Sequence, residues 1–143
     1  MTDLGIYYLV YTSLATRPMT DRDLTALLVQ ARNDNERLAV TGMLLYRSAT
    51  FLQVLEGDEN IVDALFEKIA RDSRHNPPKV ILTGHRATRQ FPNWSMGFTN
   101  LSGFTEQNLP GFSEFLSEGF NTEEMSRQPQ RAYQLLLRFR EAD

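Results

Sequence analysis

The stretch GIYYLVYT, residues 5–12, constrains the fold more than any other part of this chain. Its β-branched and aromatic residues mark a strand. Both alternating sets are apolar: Tyr7, Leu9 and Tyr11 point one way, and Ile6, Tyr8 and Val10 the other. A strand apolar on both sides belongs inside a sheet that is covered on both faces. The sheet therefore needs two covering layers.

The first layer is legible in two amphipathic helices. Thr20 followed by Asp23 resembles a capping box, with Asp in place of the usual Glu or Gln. Leu24, Leu27, Leu28 and Ala31 then recur at helical spacing, and this helix is expected to fray near Asn33–Arg37. Residues 39–47 and 50–56 read as strands joined by a short turn at Ser48–Ala49, a hairpin. Asp58 is a helix cap, and the second helix runs to about Asp72 with Val62, Leu65, Phe66 and Ile69 as its buried set. Asn76-Pro77-Pro78 stops it. Residues 79–84 give a fourth strand and residues 94–100 a fifth, in which Trp94, Met96 and Phe98 share one parity and one face.

The order β-α-β-β-α-β with one additional strand predicts an α+β fold: a ferredoxin-like sheet with two helices on one face. The tail is the candidate for the second layer: helices are expected there over about 107–118 and 122–140, the true start of the latter being near Pro129. Tyr133, Leu136, Leu137 and Phe139–Arg140 include its apolar stripe. These C-terminal helices covering the other face are one solution; a partner subunit lying there is the other. The expected division is 1–102 as the ligand-binding domain and 103–143 as a helical extension packed on the sheet.

Composition removes several chemistries. The chain has 143 residues, 41% of them hydrophobic, which suits one packed core. It has no cysteine, which excludes disulfides, zinc-thiolate sites, iron–sulfur clusters and any cysteinyl adduct. His75 and His85 lack metal-ligand spacing, so no metal site is expected. Eighteen acidic against fifteen basic residues, with no basic run, argue against a nucleic-acid partner. No apolar run reaches the length of a membrane span, and the first residues do not read as a signal peptide, so neither a membrane nor export is expected and the location is cytoplasmic.

Three polar residues sit awkwardly in this core. Gln53 lies inside FLQVLEG on the face of Phe51 and Leu55, and a buried amide without partners costs about 1–3 kcal/mol. Tyr11 lies on the face of Tyr7 and Leu9, and Asn35 at the end of the first helix. Each has an ordinary reading: an amide satisfied by backbone or water, a core tyrosine, a helix-end asparagine. Together a phenol and two carboxamides can converge between helices and sheet. Such a set has no obvious nucleophile or general base, so no catalytic residue is assigned, but it can bind a heterocycle with carbonyls and ring nitrogens.

The pieces LVYTS with Tyr11, NDNERLAVTGMLLY with Asn35, FLQVLEG with Gln53, RDSRH, and FPNWSM with Trp94 and Met96 occur in order at matching spacing. In these, the chain resembles the BLUF family of blue-light sensors using FAD, from about residue 5 to 100, with a looser likeness to its short, single-domain members in the tail. The resemblance implies FAD as cofactor, although FMN is left open, and a photoreceptor in place of an enzyme. It implies that Tyr11 is the photoactive tyrosine, that Gln53 bridges it to the flavin, and that Trp94 and Met96 lie near Gln53 in one state or the other. It implies Asn35 at the uracil-like edge of the ring with Asp34 beside it, and Lys68, Asp72, Arg74 and His75 at the ribityl or phosphate end. Leu27 and Ile69 fit a wall of either a core or a flavin cleft. Asp34 stands where relatives often carry Asn or His, so it turns away, pairs with a base or holds a proton. Lys68 replaces an arginine of some relatives, a point donor for a fork.

The implied cycle has Tyr11 giving up an electron and a proton, and Gln53 left rotated or tautomerised with a modest red shift. The output would pass to a separate signalling protein or through a homo-oligomer. Trp94 and Met96 also fit plain core, and Arg74 and His75 solvated charge at a helix end. The rival functions are a light-independent flavin module, a ferredoxin-like interaction domain without cofactor, and, for want of an anion-cradling loop, only remotely a small hydrolase of the acylphosphatase kind.

Overall fold

The structure, a computed structural model, describes residues 5–74, 76–101 and 120–141. The elements are β1 (Ile6–Leu14), α1 (Asp21–Leu38), β2 (Thr41–Arg47), β3 (Thr50–Gly57), α2 (Glu59–Ala70), β4 (Lys79–Arg86), β5 (Gly97–Asn100), α3 (Thr122–Arg127) and α4 (Pro129–Glu141). The expected helix over 107–118 and the boundary after residue 102 lie outside the described residues, as does His75.

The sheet runs β4-β1-β3-β2-β5. The first four strands pair antiparallel in the ferredoxin-like order, and β5 adds to the β2 edge in parallel. β1 is an interior strand with a separate core on each side, as its doubly apolar pattern demands. Tyr7, Leu9 and Tyr11 join Leu24, Leu28, Val62 and Leu65 in the core beneath α1 and α2. Val10 joins Leu52, Val54, Met125, Tyr133 and Leu136 in the core beneath α3 and α4. Helices α3 and α4 supply the second cover.

Local chemistry explains most of the boundaries. Thr20 Oγ1 accepts from Asp23 N at 3.1 Å while Asp23 Oδ2 accepts from Thr20 N at 3.0 Å, so the shorter Asp closes a capping box. Asp58 Oδ1 caps α2 through Asn60 N at 3.0 Å. Pro129 occupies the first turn of α4, where its missing N–H is no loss. The β2–β3 turn uses two left-handed residues that are not glycine, Ser48 and Ala49, with φ of 49° and 66°.

Two expectations need correction. α1 does not fray over Asn33–Arg37: it continues to Leu38 and ends on a left-handed Ala39, whose N–H bonds back to Asn35 O and Glu36 O. Its last turn is pinned because Asn35 is buried and tied to Ser95 O at 2.6 Å. The fifth strand starts at Gly97, not Trp94, and Trp94 and Met96 do not share a face. Met96 lies in the α1/α2 core and Trp94 packs against the α3/α4 core. The chain before Gly97 is not extended ladder, so strand alternation does not apply there. The indole folds back over Gly97, where a Cβ would fall 2.3 Å from Trp94 Cε3.

A buried carboxylate organises the approach to this segment. Glu56, 1% exposed on β3, accepts from the backbone N–H groups of Gln90 at 2.7 Å and Phe91 at 2.9 Å. Thr41 Oγ1 adds a third bond at 3.2 Å, and Arg89 Nη1 donates to that same hydroxyl at 2.9 Å. The bend from 89 to 91 is thus fastened to the middle of the sheet, three residues before Trp94.

Candidate functional site

Helical spacing on α1 and α2 builds a cleft against the sheet. Leu27, Gln30, Ala31, Asp34 and Asn35 follow one stripe of α1, and Leu65, Lys68 and Ile69 follow one of α2, with Asp72 just beyond its end. Tyr11, Gln53, Leu44 and Phe51 form the floor. The cleft encloses about 100 Å³ and opens to solvent at its mouth.

Tyr11 and Gln53 are direct cross-strand neighbours on β1 and β3. Both are 4% exposed, and Tyr11 Oη donates to Gln53 Oε1. The other end of the amide donates from Nε2 to Met96 Sδ at 3.2 Å. The Gln53 carboxamide is therefore fixed by a strong acceptor contact on one side and a thioether, a weak acceptor, on the other. Burial pushes the Tyr11 phenol well above its ordinary pKa, and the charge of Asp72 adds to that. Phe66 packs edge-on to the phenol ring with centroids 5.3 Å apart.

The mouth carries paired charges. Asp34 accepts from Lys68 Nζ at 2.9 Å, bridging α1 to α2, and from Arg37 at 3.2 Å. The Lys68 hydrogen bond holds the Asp34 carboxyl below its usual range, so of the three fates for this residue the structure takes pairing with a base. Asp72 accepts from the Arg74 backbone N and Nε at 2.9 and 3.0 Å, and Arg74 Nη2 reaches Gln30 Oε1 at 3.0 Å. This turn is anchored to the end of β1 by Thr16 N donating to Arg74 O at 3.0 Å and Asn76 N to Leu14 O at 2.7 Å.

The structure thus brings together Tyr11, Leu27, Asp34, Asn35, Gln53, Lys68, Ile69, Asp72 and Arg74 around one cleft, with Met96 against Gln53. Trp94 stays on the far side of the sheet. Gln30 went unread, although it falls on the stripe that joins Leu27 to Asp34. Arg32 also went unread: its Nε donates to Met96 O at 2.9 Å, sixty-four residues away.

The cleft fits a flavin. Apolar side chains of both helices can face the two sides of a flat ring, two carboxamides and a phenol offer donors and acceptors for its polar edge, and lysine and arginine stand at the mouth where a phosphate would leave. Among the described residues, no group of three or more His, Asp or Glu is placed to hold a metal ion, and no helix is long and apolar enough to cross a membrane.

A family model described as sensors of blue light using FAD, BLUF, matches residues 6–97. The chain is 38% identical over 110 residues to the photoactivated adenylate cyclase subunit beta of Euglena longa, a match covering 77% of this chain and 12% of that protein. The chain spans about a tenth of the length of such curated relatives, so the cyclase in their names belongs to those whole proteins. Among solved structures, BlsA in its photo-activated state superposes with a TM-score of 0.75 at 30% identity, covering 92% of this chain and 94% of that one. BlrP1 of Klebsiella pneumoniae, solved with FMN and cyclic diGMP, gives 0.66 at 29% identity over 80% of this chain and 35% of that one.

Proposed function

The chain belongs to the BLUF family, sensors of blue light using FAD, and on that premise we propose that it is a blue-light photoreceptor whose switch is the Tyr11–Gln53 pair. The observation that carries the reading is the hydrogen bond from the Tyr11 hydroxyl to Gln53 Oε1 on the floor of the cleft. The cofactor is a flavin, held without a covalent bond; a cysteinyl link is ruled out because the chain has no cysteine.

When bound, the flavin supplies a one-electron oxidant on absorbing blue light. Tyr11 is the residue placed to give up the electron. Its raised pKa keeps the phenol neutral in the dark, so the proton leaves only with the electron, and Gln53 Oε1 already accepts that proton's hydrogen bond. The amide is then the part that can change. Its N–H side is held by Met96 sulfur alone among the described contacts, so turning the amide or shifting its proton sacrifices little. A neutral hydrogen bond is worth about 1 kcal/mol net. The trigger therefore biases a balanced equilibrium and cannot force an unbalanced one. The neighbouring element that can respond is the Trp94–Met96 segment.

Leu27 and Ile69 serve as walls for the ring, and Asn35 binds its polar edge. Lys68 and Arg74, with Asp72 orienting the latter, and with His75, serve the ribityl and phosphate end. Cations of this kind suit the phosphate of FMN or of FAD, and the family's description supports FAD as the resident flavin. Residues 1–102 form the sensory domain, and 103–143 an extension through which the state of the cleft reaches an effector or a further copy of the chain.

The purified protein should be yellow, release FAD on denaturation, and shift its absorption band to the red reversibly in blue light. A flavin-loaded protein whose spectrum does not change under illumination would refute the switch and leave a light-independent flavin module. A protein that stays colourless after FAD is offered would refute the cofactor.

A further inference from the structure

Three consecutive carbonyls before β5 are each held by a different donor. Trp94 O accepts from Gly42 N at 3.1 Å, Ser95 O from Asn35 Nδ2 at 2.6 Å, and Met96 O from Arg32 Nε at 2.9 Å. The first donor belongs to β2 and the other two to α1. These three bonds fix the twist of the peptide planes from 94 to 96, and with it which side chain enters the α1/α2 core. Met96 enters and reaches Gln53; Trp94 is left on the opposite layer against Phe91, ring centroids 6.2 Å apart.

From this we infer that Arg32 is a positioning residue: it holds Met96, and not Trp94, beside Gln53, and so sets how readily the segment changes sides. Arg32 and Asn35 are three residues apart, so they lie on one side of α1. Asn35 also lines the cleft, and its loss would disturb any ligand directly. Arg32 is not among the residues that line it. Its bond is charge-assisted and part-buried, the stronger kind. Exchanging Met96 for Trp94 requires the Met96 carbonyl to turn away from the guanidinium, and the indole to leave its seat over Gly97. Arg32 therefore acts on the Gln53 amide through the backbone of residue 96, at a distance from the chemistry. The part of this inference that concerns light rests on the switch proposed above; the part that concerns the position of Trp94 does not.

Trp94 is the chain's one tryptophan, so its emission can be assigned without ambiguity. Arg32→Met keeps the aliphatic stem and removes the donor; Arg32→Lys keeps the charge and misplaces it. In flavin-free protein, Arg32→Met should raise the acrylamide quenching constant of Trp94 at least about twofold, with Arg32→Lys in between. In flavin-loaded protein it should dim Trp94 emission in the dark and change the dark-recovery rate by about tenfold, the effect of one charge-assisted bond, at unchanged flavin content. Quenching, emission and recovery all within twofold of the parent would overturn the assignment. If the parent binds flavin but does not respond to light, the switch fails while the flavin-free quenching still decides the role of Arg32. Should Arg32→Met not fold, the same measurements on Arg32→Lys decide it, a parent-like Trp94 signal counting against.

Discussion

Replacing Glu56 by Ala tests whether the bend before Trp94 is held by one carboxylate. The side chain is 1% exposed and accepts from two backbone N–H groups and one hydroxyl. Its removal takes an acceptor from the amides of half-buried Gln90 and buried Phe91, at up to about 1–3 kcal/mol for each. Thr41 still has Arg89, so its loss is smaller. The sum is about 3–4 kcal/mol, within the roughly 5–15 kcal/mol a domain possesses, so the variant should fold. With a urea slope of about 1.5–2 kcal/mol per molar, the midpoint should fall by about 2 M. Glu56→Gln, which keeps one oxygen but turns an NH₂ toward a backbone N–H, should recover less than half of that. Amide exchange supplies the local readout: Gln90 and Phe91 should lose protection together in the Ala variant. A midpoint within about 0.5 M of the parent, with both amides still protected, would show that the bend is held by packing and that the carboxylate is incidental.

Tyr11→Phe should retain flavin and lose the light-induced red shift, checked by difference spectroscopy; a normal shift in this variant would remove Tyr11 from the switch. The raised Tyr11 pKa also has a pH signature: in the folded state the phenol stays protonated above pH ~10, where an unfolded tyrosine ionises. Its contribution is complete below the unfolded value and is lost as pH rises beyond it, so urea midpoints should fall between pH 9 and about 11, less steeply in Tyr11→Phe. Thr20→Ala breaks the capping box and should lower stability by about 1 kcal/mol, or Tm by about 3 °C in a thermal scan. Asp34→Asn frees Lys68 and removes a negative charge from the mouth, so FMN should gain about two- to fivefold more affinity than riboflavin, which has no phosphate, in paired titrations.

What could be read in advance was set by periodicity. Tyr11 shares parity with Tyr7 and Leu9, and Gln53 with Phe51 and Leu55; once β1 and β3 pair, both face α1 and α2, and nothing else is needed to bring them together. Leu27 and Asp34, or Leu65, Lys68 and Ile69, meet in the cleft for the same reason on a helical period. Periodicity failed where the backbone leaves its regular path. Trp94 and Met96 are two apart yet part company, because Gly97 gives the indole a seat that any side chain would fill. Arg32, Asn35 and Glu56 act on backbone groups more than thirty residues distant, and a carbonyl or an amide leaves no mark in the letters of a sequence. Asp34 was open to three fates, and only the proximity of Lys68 across the cleft chose among them.

The sheet divides the molecule into two chambers that share walls but no contents. Substitutions among Met125, Tyr133 and Leu136 can reshape the outer chamber while Tyr11 and Gln53 keep their geometry, since alternation along each strand assigns every side chain to one chamber alone. A light-reading module built this way can be recoupled to different machinery by exchanging its outer lid. The toll gate between the chambers is the short run ahead of Gly97, where neighbours two apart answer to opposite sides.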